Sequence, residues 1–239
     1  PDGKSTIGQD RIIYDGHLDN ETIEGAKMYK RGDWYYIFSP AGGVPTGWQE
    51  VLRSKNPWGP YETRNVLEQG DTDMNGPHQG AWIDTPDGKE DWFIHFQDKG
   101  PYGRVVNLEP MKWLENGWPV IGVDPDGDER GVPVRTYKKP NVGRTYPRQT
   151  PQDSDEFDSI ELGKQWQWKD NPSALWYYCD AAASKLRLFS NALPENAKTI
   201  YDLPNLLLQK FPARNFTATA KVQFFPRKKD GKLMEGERA

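Results

Sequence analysis

Asp33-Trp34-Tyr35-Tyr36-Ile37-Phe38 returns 58 residues later as Asp91-Trp92-Phe93-Ile94-His95-Phe96. No other feature restricts so strongly what this 239-residue chain can fold into. The correspondence continues downstream: Gly47 opens an apolar stretch to Leu52 as Gly103 opens Arg104 to Leu108, and Asn56-Pro57-Trp58 is answered by Asn116-Gly117-Trp118. The first unit reads as four short strands, Ala26 to Lys30, Trp34 to Ser39, Gln49 to Arg53 and Tyr61 to Asn65. The second reads as Gly80 to Asp84, Trp92 to Gln97, Arg104 to Leu108 and Val120 to Gly122. Arg31-Gly32-Asp33 and Pro86-Asp87-Gly88 carry the chemistry of hairpin turns. A four-stranded unit repeating at nearly sixty residues predicts β-propeller blades, which pack radially because no blade buries its faces alone. A sandwich of two similar meanders is the weaker alternative, since sandwiches do not usually repeat hairpin and Trp positions at matched offsets. Propellers have roughly four to eight blades, so the remaining ones are expected upstream of Pro1.

Composition agrees with an all-β, turn-rich chain: it has 23 Gly, 20 Pro and ten Trp. The apolar fraction of 35% and mean hydropathy of −0.89 are low, but Trp and Tyr bury large areas and supply a core that aliphatic counting understates. A net charge of −4 with scattered basic residues gives no footprint for nucleic acid or an anionic membrane. No apolar run approaches the roughly 18 residues of a membrane span, and no signal-peptide core sits at the start. Cys179 is the only cysteine, which excludes an intrachain disulfide framework. The chain opens at Pro1 without an initiator Met and reads as a fragment or processed form.

Residues 1–130 are thus expected to form part of a propeller. Residues 131–153 lose apolar periodicity and carry Pro133, Pro140, Pro147 and Pro151, as a surface linker does. Residues 154–239 are expected to form part of a β-sandwich. Phe157 to Trp168 and Leu175 to Tyr178 are aromatic-rich, Leu186 and Leu188 alternate with Lys185 and Arg187, and apolar residues alternate through Asn215 to Phe225. Period-two alternation marks strands buried on one face. The stretch from Arg227 to Ala239 is charged and adds no closing strand, so the sandwich reads as truncated.

These residues resemble the glycoside hydrolases of family 43, above all their β-xylosidase and α-L-arabinofuranosidase branch. The resemblance is carried by Thr22-Ile23-Glu24-Gly25-Ala26-Lys27 before the Trp34 to Pro40 strand, by Gly76-Pro77-His78-Gln79-Gly80-Ala81-Trp82, and by Trp92 to Gln97. Tyr102-Gly103-Arg104-Val105-Val106, Asp155-Glu156-Phe157, Leu162-Gly163 and Trp166-Gln167-Trp168 continue it. Each piece is unspecific, whereas their order and spacing together are specific. The resemblance implies a five-bladed propeller, of which this chain holds the later blades, followed by a concanavalin-like sandwich of the jelly-roll kind. It also implies an inverting glycosidase that uses two Asp and one Glu.

By the same resemblance Glu24 is the general acid, although Ala26 stands where the motif usually has Pro. An inverting site sets the acid about 6.5–9.5 Å from the carboxylate that activates water. Near other carboxylates in a low-dielectric funnel, Glu24 is expected to keep its proton near neutral pH. The two aspartates belong to earlier blades, before Pro1, and Asp10, Asp15 and Asp19 lie too close to Glu24 in sequence to replace them. The chain alone is therefore expected to be inactive. His78 matches a histidine near the propeller axis that touches a calcium ion through water; a satisfied buried histidine is the other reading. Arg104 matches an arginine that reaches substrate hydroxyls, a task suited to its planar fork.

The other chemistry-bearing residues read as structural. His95 lies mid-strand among apolar residues, His17 lies in a polar loop, and the three histidines have no zinc spacing. Trp48, Trp58, Trp82 and Trp118 are candidates to stack on sugars, but the repeat-equivalent Trp58 and Trp118 are expected to pack between blades. The function implied is release of xylose or arabinose from plant cell-wall oligosaccharides, for which a secreted or periplasmic location is expected. The alternative is a non-catalytic sugar-binding propeller. An interaction-platform propeller is disfavoured, because those use repeats of about 40–45 residues.

Overall fold

The computed structural model describes residues 3–225, and the chain divides into two compact units, 1–149 and 150–239. In the first unit β1 (Lys27–Arg31), β2 (Trp34–Ala41), β3 (Trp48–Ser54) and β4 (Glu62–Leu67) form one antiparallel sheet in sequence order. A second sheet repeats that order with β5 (His78–Asp84), β6 (Asp91–Asp98), β7 (Arg104–Trp113) and β8 (Pro119–Ile121). The two repeats are therefore two meanders. Arg31 pairs with Trp34 across a two-residue turn in which Gly32 has φ +58, the left-handed backbone that a tight hairpin demands. β7 runs five residues beyond the expected Leu108 because Glu109 to Trp113 go on pairing, with Phe93 to Asp91 on one side and with β8 on the other.

The core lies between the two sheets. Tyr36 and Phe38 alternate inward from β2 and meet Val51, Val66, Phe93, Met111, Trp118 and Ile121. Phe38 stacks on Phe93 at 5.9 Å, and Trp82 meets Trp113 edge-on at 5.1 Å. The fully buried Phe38 and Phe93 rings each contribute about 1.5–3 kcal/mol, and partly buried rings add to this in proportion to the area they cover. Four Trp and Tyr side chains thereby supply what a low aliphatic content does not, since Tyr29, Trp34, Trp82 and Trp113 border the cluster.

Trp58 and Trp118 share one local structure, for Asn56 Oδ1 accepts from the Trp58 amide at 3.0 Å and Asn116 Oδ1 from the Trp118 amide at 3.1 Å. Their surroundings differ. Trp118 is buried under the guanidinium groups of Arg53 and Arg64, at 4.1 and 5.0 Å, from the neighbouring sheet. Trp58 is 57% exposed with Arg11 over its ring at 5.3 Å. The expected packing between blades thus holds for Trp118 and not for Trp58, which has a guanidinium rather than a sheet against it.

Residues 131–134 fasten the last strands of both sheets. The Gly131 amide donates to Val66 O and its carbonyl accepts from Glu68 N, each at 3.1 Å, while Val123 and Val132 form an antiparallel bridge.

In the second unit β9 (Gln167–Trp168) pairs with β12 (Leu207–Leu208), and β10 (Tyr177–Asp180) with β11 (Lys185–Leu188). The alternating Lys185 to Leu188 segment is the strand its pattern predicts. The Asn215 to Phe225 alternation is not a strand: Phe216 and Phe224 are 50% and 67% exposed, and alternation produces a strand only where a partner edge completes the ladder. Asp155 organises the start of this unit, accepting from the Phe157 amide and from Trp166 Nε1, both at 2.8 Å. The charged stretch from residue 227 onward lies outside the described residues. Among the described residues no helix is long and apolar enough to cross a membrane.

Candidate active site

Glu24 sits just before β1, and its backbone is tied to the end of β2. Its amide donates to Pro40 O at 3.1 Å and its carbonyl accepts from Ser39 Oγ at 2.5 Å. The preceding loop is closed by Asn20, whose amide donates to Gly16 O and whose carbonyl accepts from the Ile23 amide. Asn20 Oδ1 also accepts from Trp48 Nε1 at 3.3 Å. The acidic side chain therefore projects from a fixed backbone, 55% exposed.

His78 opens β5 and is buried to 1% exposure, with Nε2 2.8 Å from Glu24 Oε1. Gln79 Nε2 donates to the same oxygen at 3.2 Å. Arg104 opens β7, and its guanidinium lies 4.7 Å over the Phe96 ring. Phe96 pairs with His78 across the sheet, ring to ring at 5.8 Å, so one aromatic side chain supports both. Two glycines make room for this cluster. A Cβ on Gly80 would overlap the Phe93 ring, and one on Gly25, where φ is +59, would overlap the Gln79 amide.

The hydrogen bonds from His78 and then Gln79, with a smaller contribution from the Arg104 charge, hold the Glu24 carboxyl below the usual carboxylate range. This direction corrects the expectation of a Glu24 kept protonated. The carboxyl is half open to water rather than desolvated, and donors rather than carboxylates surround it. Of the two ring nitrogens of His78, Nε2 is engaged, whereas Nδ1 is buried without a hydrogen-bond partner. Among the described residues no three His, Cys, Asp or Glu assemble to hold a metal ion.

Glu24, His78 and Arg104, taken from three separate sequence motifs, thus share one end of the two sheets. The remaining histidines stand apart. His17, with its side chain 93% exposed, is raised in pKa by its hydrogen bond to Asp15. His95 pairs with Glu109 inside the second sheet. Of the tryptophans, Trp82 is held by the core and by Asp91, to which its Nε1 donates at 2.7 Å.

Sequence reasoning quoted Gln79 within a motif without giving it a role. Its signal is its place between His78 and a glycine on a bulged strand. Glu50 was also missed. It is 3% exposed on β3, and burial lifts its carboxyl to about 7 against opposing hydrogen bonds from Trp48 and Thr63. An acid directly before Val51-Leu52, within the strand stretch from Gln49 to Arg53, was the available sign.

Residues 1–119 match the model of the glycosyl hydrolases of family 43, and residues 154–232 match that of the β-xylosidase C-terminal concanavalin A-like domain. The chain is 46% identical over 224 residues to a protein of Xylanibacter ruminicola that carries a β-xylosidase name, covering 92% of this chain and 40% of that protein. It is 32% identical to a non-reducing end α-L-arabinofuranosidase of Bacteroides ovatus, covering 88% of this chain and 40% of that protein. Its fold is shared with the crystal structure of a xylan β-1,4-xylosidase of Bacillus halodurans, at a TM-score of 0.70 and 22% identity over 87% of this chain and 40% of the other. The chain therefore spans about 40% of the length of these relatives. With two family models that follow one another along most of its length, the chain belongs to the glycosyl hydrolases of family 43.

Proposed function

We propose that this chain is the acid-bearing part of an exo-acting glycosidase that releases xylose or arabinose from plant cell-wall oligosaccharides with inversion. The observation that carries the reading is the Glu24 carboxyl, half exposed where the two sheets end, with Oε1 held by His78 and Gln79. Among the described residues Oε2 takes no hydrogen bond, which leaves it to face a glycosidic oxygen. Arg104 donates to sugar hydroxyls beside it. The two sheets are blades of a five-bladed propeller whose other blades carry the two aspartates. One aspartate activates water across the sugar, about 6.5–9.5 Å from Glu24. Carboxylates brought close in this way oppose the pull of His78 and Gln79 and raise the Glu24 pKa. On this reading the chain by itself turns over no aryl pentoside.

A calcium ion on the propeller axis fits one atom of this chain. The buried, unpartnered Nδ1 of His78 can accept a hydrogen bond from a water held by the ion, while Nε2 serves Glu24. The ion would supply a fixed positive charge there, and His78 would transmit position rather than protons.

The test is proton NMR of the sugar freshly released by the full-length gene product from xylo- and arabino-oligosaccharides. Single pentose units appearing first as the inverted anomer support the reading. The retained anomer contradicts inversion, and binding without release favours a sugar-binding propeller.

A further inference from the structure

The register of the second sheet takes three steps along β5, from His78 to Ala81, against two along β6, from Phe96 to Ile94. One residue on β5 is therefore extra. A bulge of this kind turns a side chain away from the face that simple alternation would give it. Here it accompanies Gln79 at φ +51, a left-handed backbone that a non-glycine residue adopts only when its surroundings demand it. The neighbouring chain gives way as well, because any side chain on Gly25 would displace the Gln79 amide. A strand irregularity, a strained backbone and an obligatory glycine thus converge on one result, an amide nitrogen 3.2 Å from Glu24 Oε1.

We propose that Gln79 is a positioning residue for the general acid, holding Oε1 of Glu24 as an acceptor so that the transferable proton is carried on Oε2. The proposal rests on the reading of Glu24 as the acid. An amide nitrogen donates and cannot accept, so the oxygen facing it stays unprotonated. In the reaction the Oε2–H bond breaks and the proton passes to the glycosidic oxygen. The bond from the anomeric carbon to that oxygen breaks with its electron pair going to the oxygen. Water adds to the anomeric carbon from the other face and gives its proton to the base carboxylate. Glu24 ends as a carboxylate, and a hydrogen bond to a charged acceptor is stronger than one to a neutral acid. Gln79 therefore helps most as the proton leaves, which is when help accelerates the step.

The experiment compares Gln79→Gly, Gln79→Met and Glu24→Gln with wild type in the full-length gene product, on xylo-oligosaccharides and on aryl xylosides of graded leaving-group pKa. Glycine suits a positive φ, so Gln79→Gly is expected to melt no lower than wild type, and Gln79→Met keeps length while removing the donor. Both are expected to lose about tenfold in kcat on oligosaccharides, with KM little changed. On aryl xylosides with good leaving groups the loss should be small, so that the dependence on leaving-group pKa steepens. Equal losses on every substrate would overturn the proposal, as would wild-type rates in both Gln79 variants while Glu24→Gln is impaired. A Glu24→Gln enzyme unimpaired on oligosaccharides would remove the reading of the acid itself.

Discussion

His95 Nε2 lies 3.1 Å from Glu109 Oε1, and neither side chain reaches solvent. The other carboxylate oxygen of Glu109 accepts from the Val134 amide at 2.8 Å, so one buried acid joins two strands of a sheet to the segment that follows them. Removing one member of a buried pair strands the other without water. Glu109→Ala is expected to destabilise the fold by about 3–5 kcal/mol, read as a lower denaturant midpoint. It should also speed hydrogen exchange at the Val134 amide. Loss of less than about 1 kcal/mol would show that water replaces the carboxylate.

Arg53 lies between two rings, 4.7 Å from Trp34 and 4.1 Å from Trp118, while Nη1 donates to Asn116 O at 2.7 Å and Nε and Nη2 donate to Glu62. A lysine keeps the charge but not the plane or the fork. Arg53→Lys should therefore cost about 1–3 kcal/mol, with Trp118 fluorescence shifting as its cover loosens. An unchanged midpoint would make the stacking ornamental to the interface.

Glu50 makes stability depend on pH. Its carboxyl titrates near 7 in the fold against an ordinary value of 4.5, so the folded state holds a proton that the unfolded chain has already released. The contribution of neutral Glu50 is complete below pH 4.5, declines as pH rises, and is lost above about 7, for a total on the order of 3 kcal/mol. Urea midpoints of wild type and Glu50→Gln, taken from pH 5 to 8, should diverge progressively. Parallel curves would place the carboxyl in contact with water.

The two meanders were legible because a repeat specifies itself. The spacing of Asp33 and Asp91 fixed the hairpins, and turn residues such as Gly32 marked where strands end. The meeting of Glu24, His78 and Arg104 at one end followed from motifs at strand starts. Gln79 was not legible as a site residue, because a bulge depends on the register of two strands rather than on one strand's pattern. The Glu24 environment was misjudged for a related reason: its donors come from a strand 54 residues away, and sequence shows the carboxyl without them. Trp58 and the Asn215 to Phe225 alternation mark the same limit. Periodicity tells which faces can be buried, and only the neighbour decides whether they are.

The proposal that Glu24 is the general acid is tested most directly by Glu24→Gln in the full-length gene product, which keeps size and hydrogen bonding but removes the transferable proton. On xylo- or arabino-oligosaccharides, whose alkoxide leaving group needs protonation, kcat/KM should fall by about 10²–10⁴-fold. On an aryl pentoside whose phenolate leaves unaided, the fall should be far smaller. Equal falls on the two substrates, or undiminished release from the oligosaccharides, would contradict the assignment of Glu24 as the general acid.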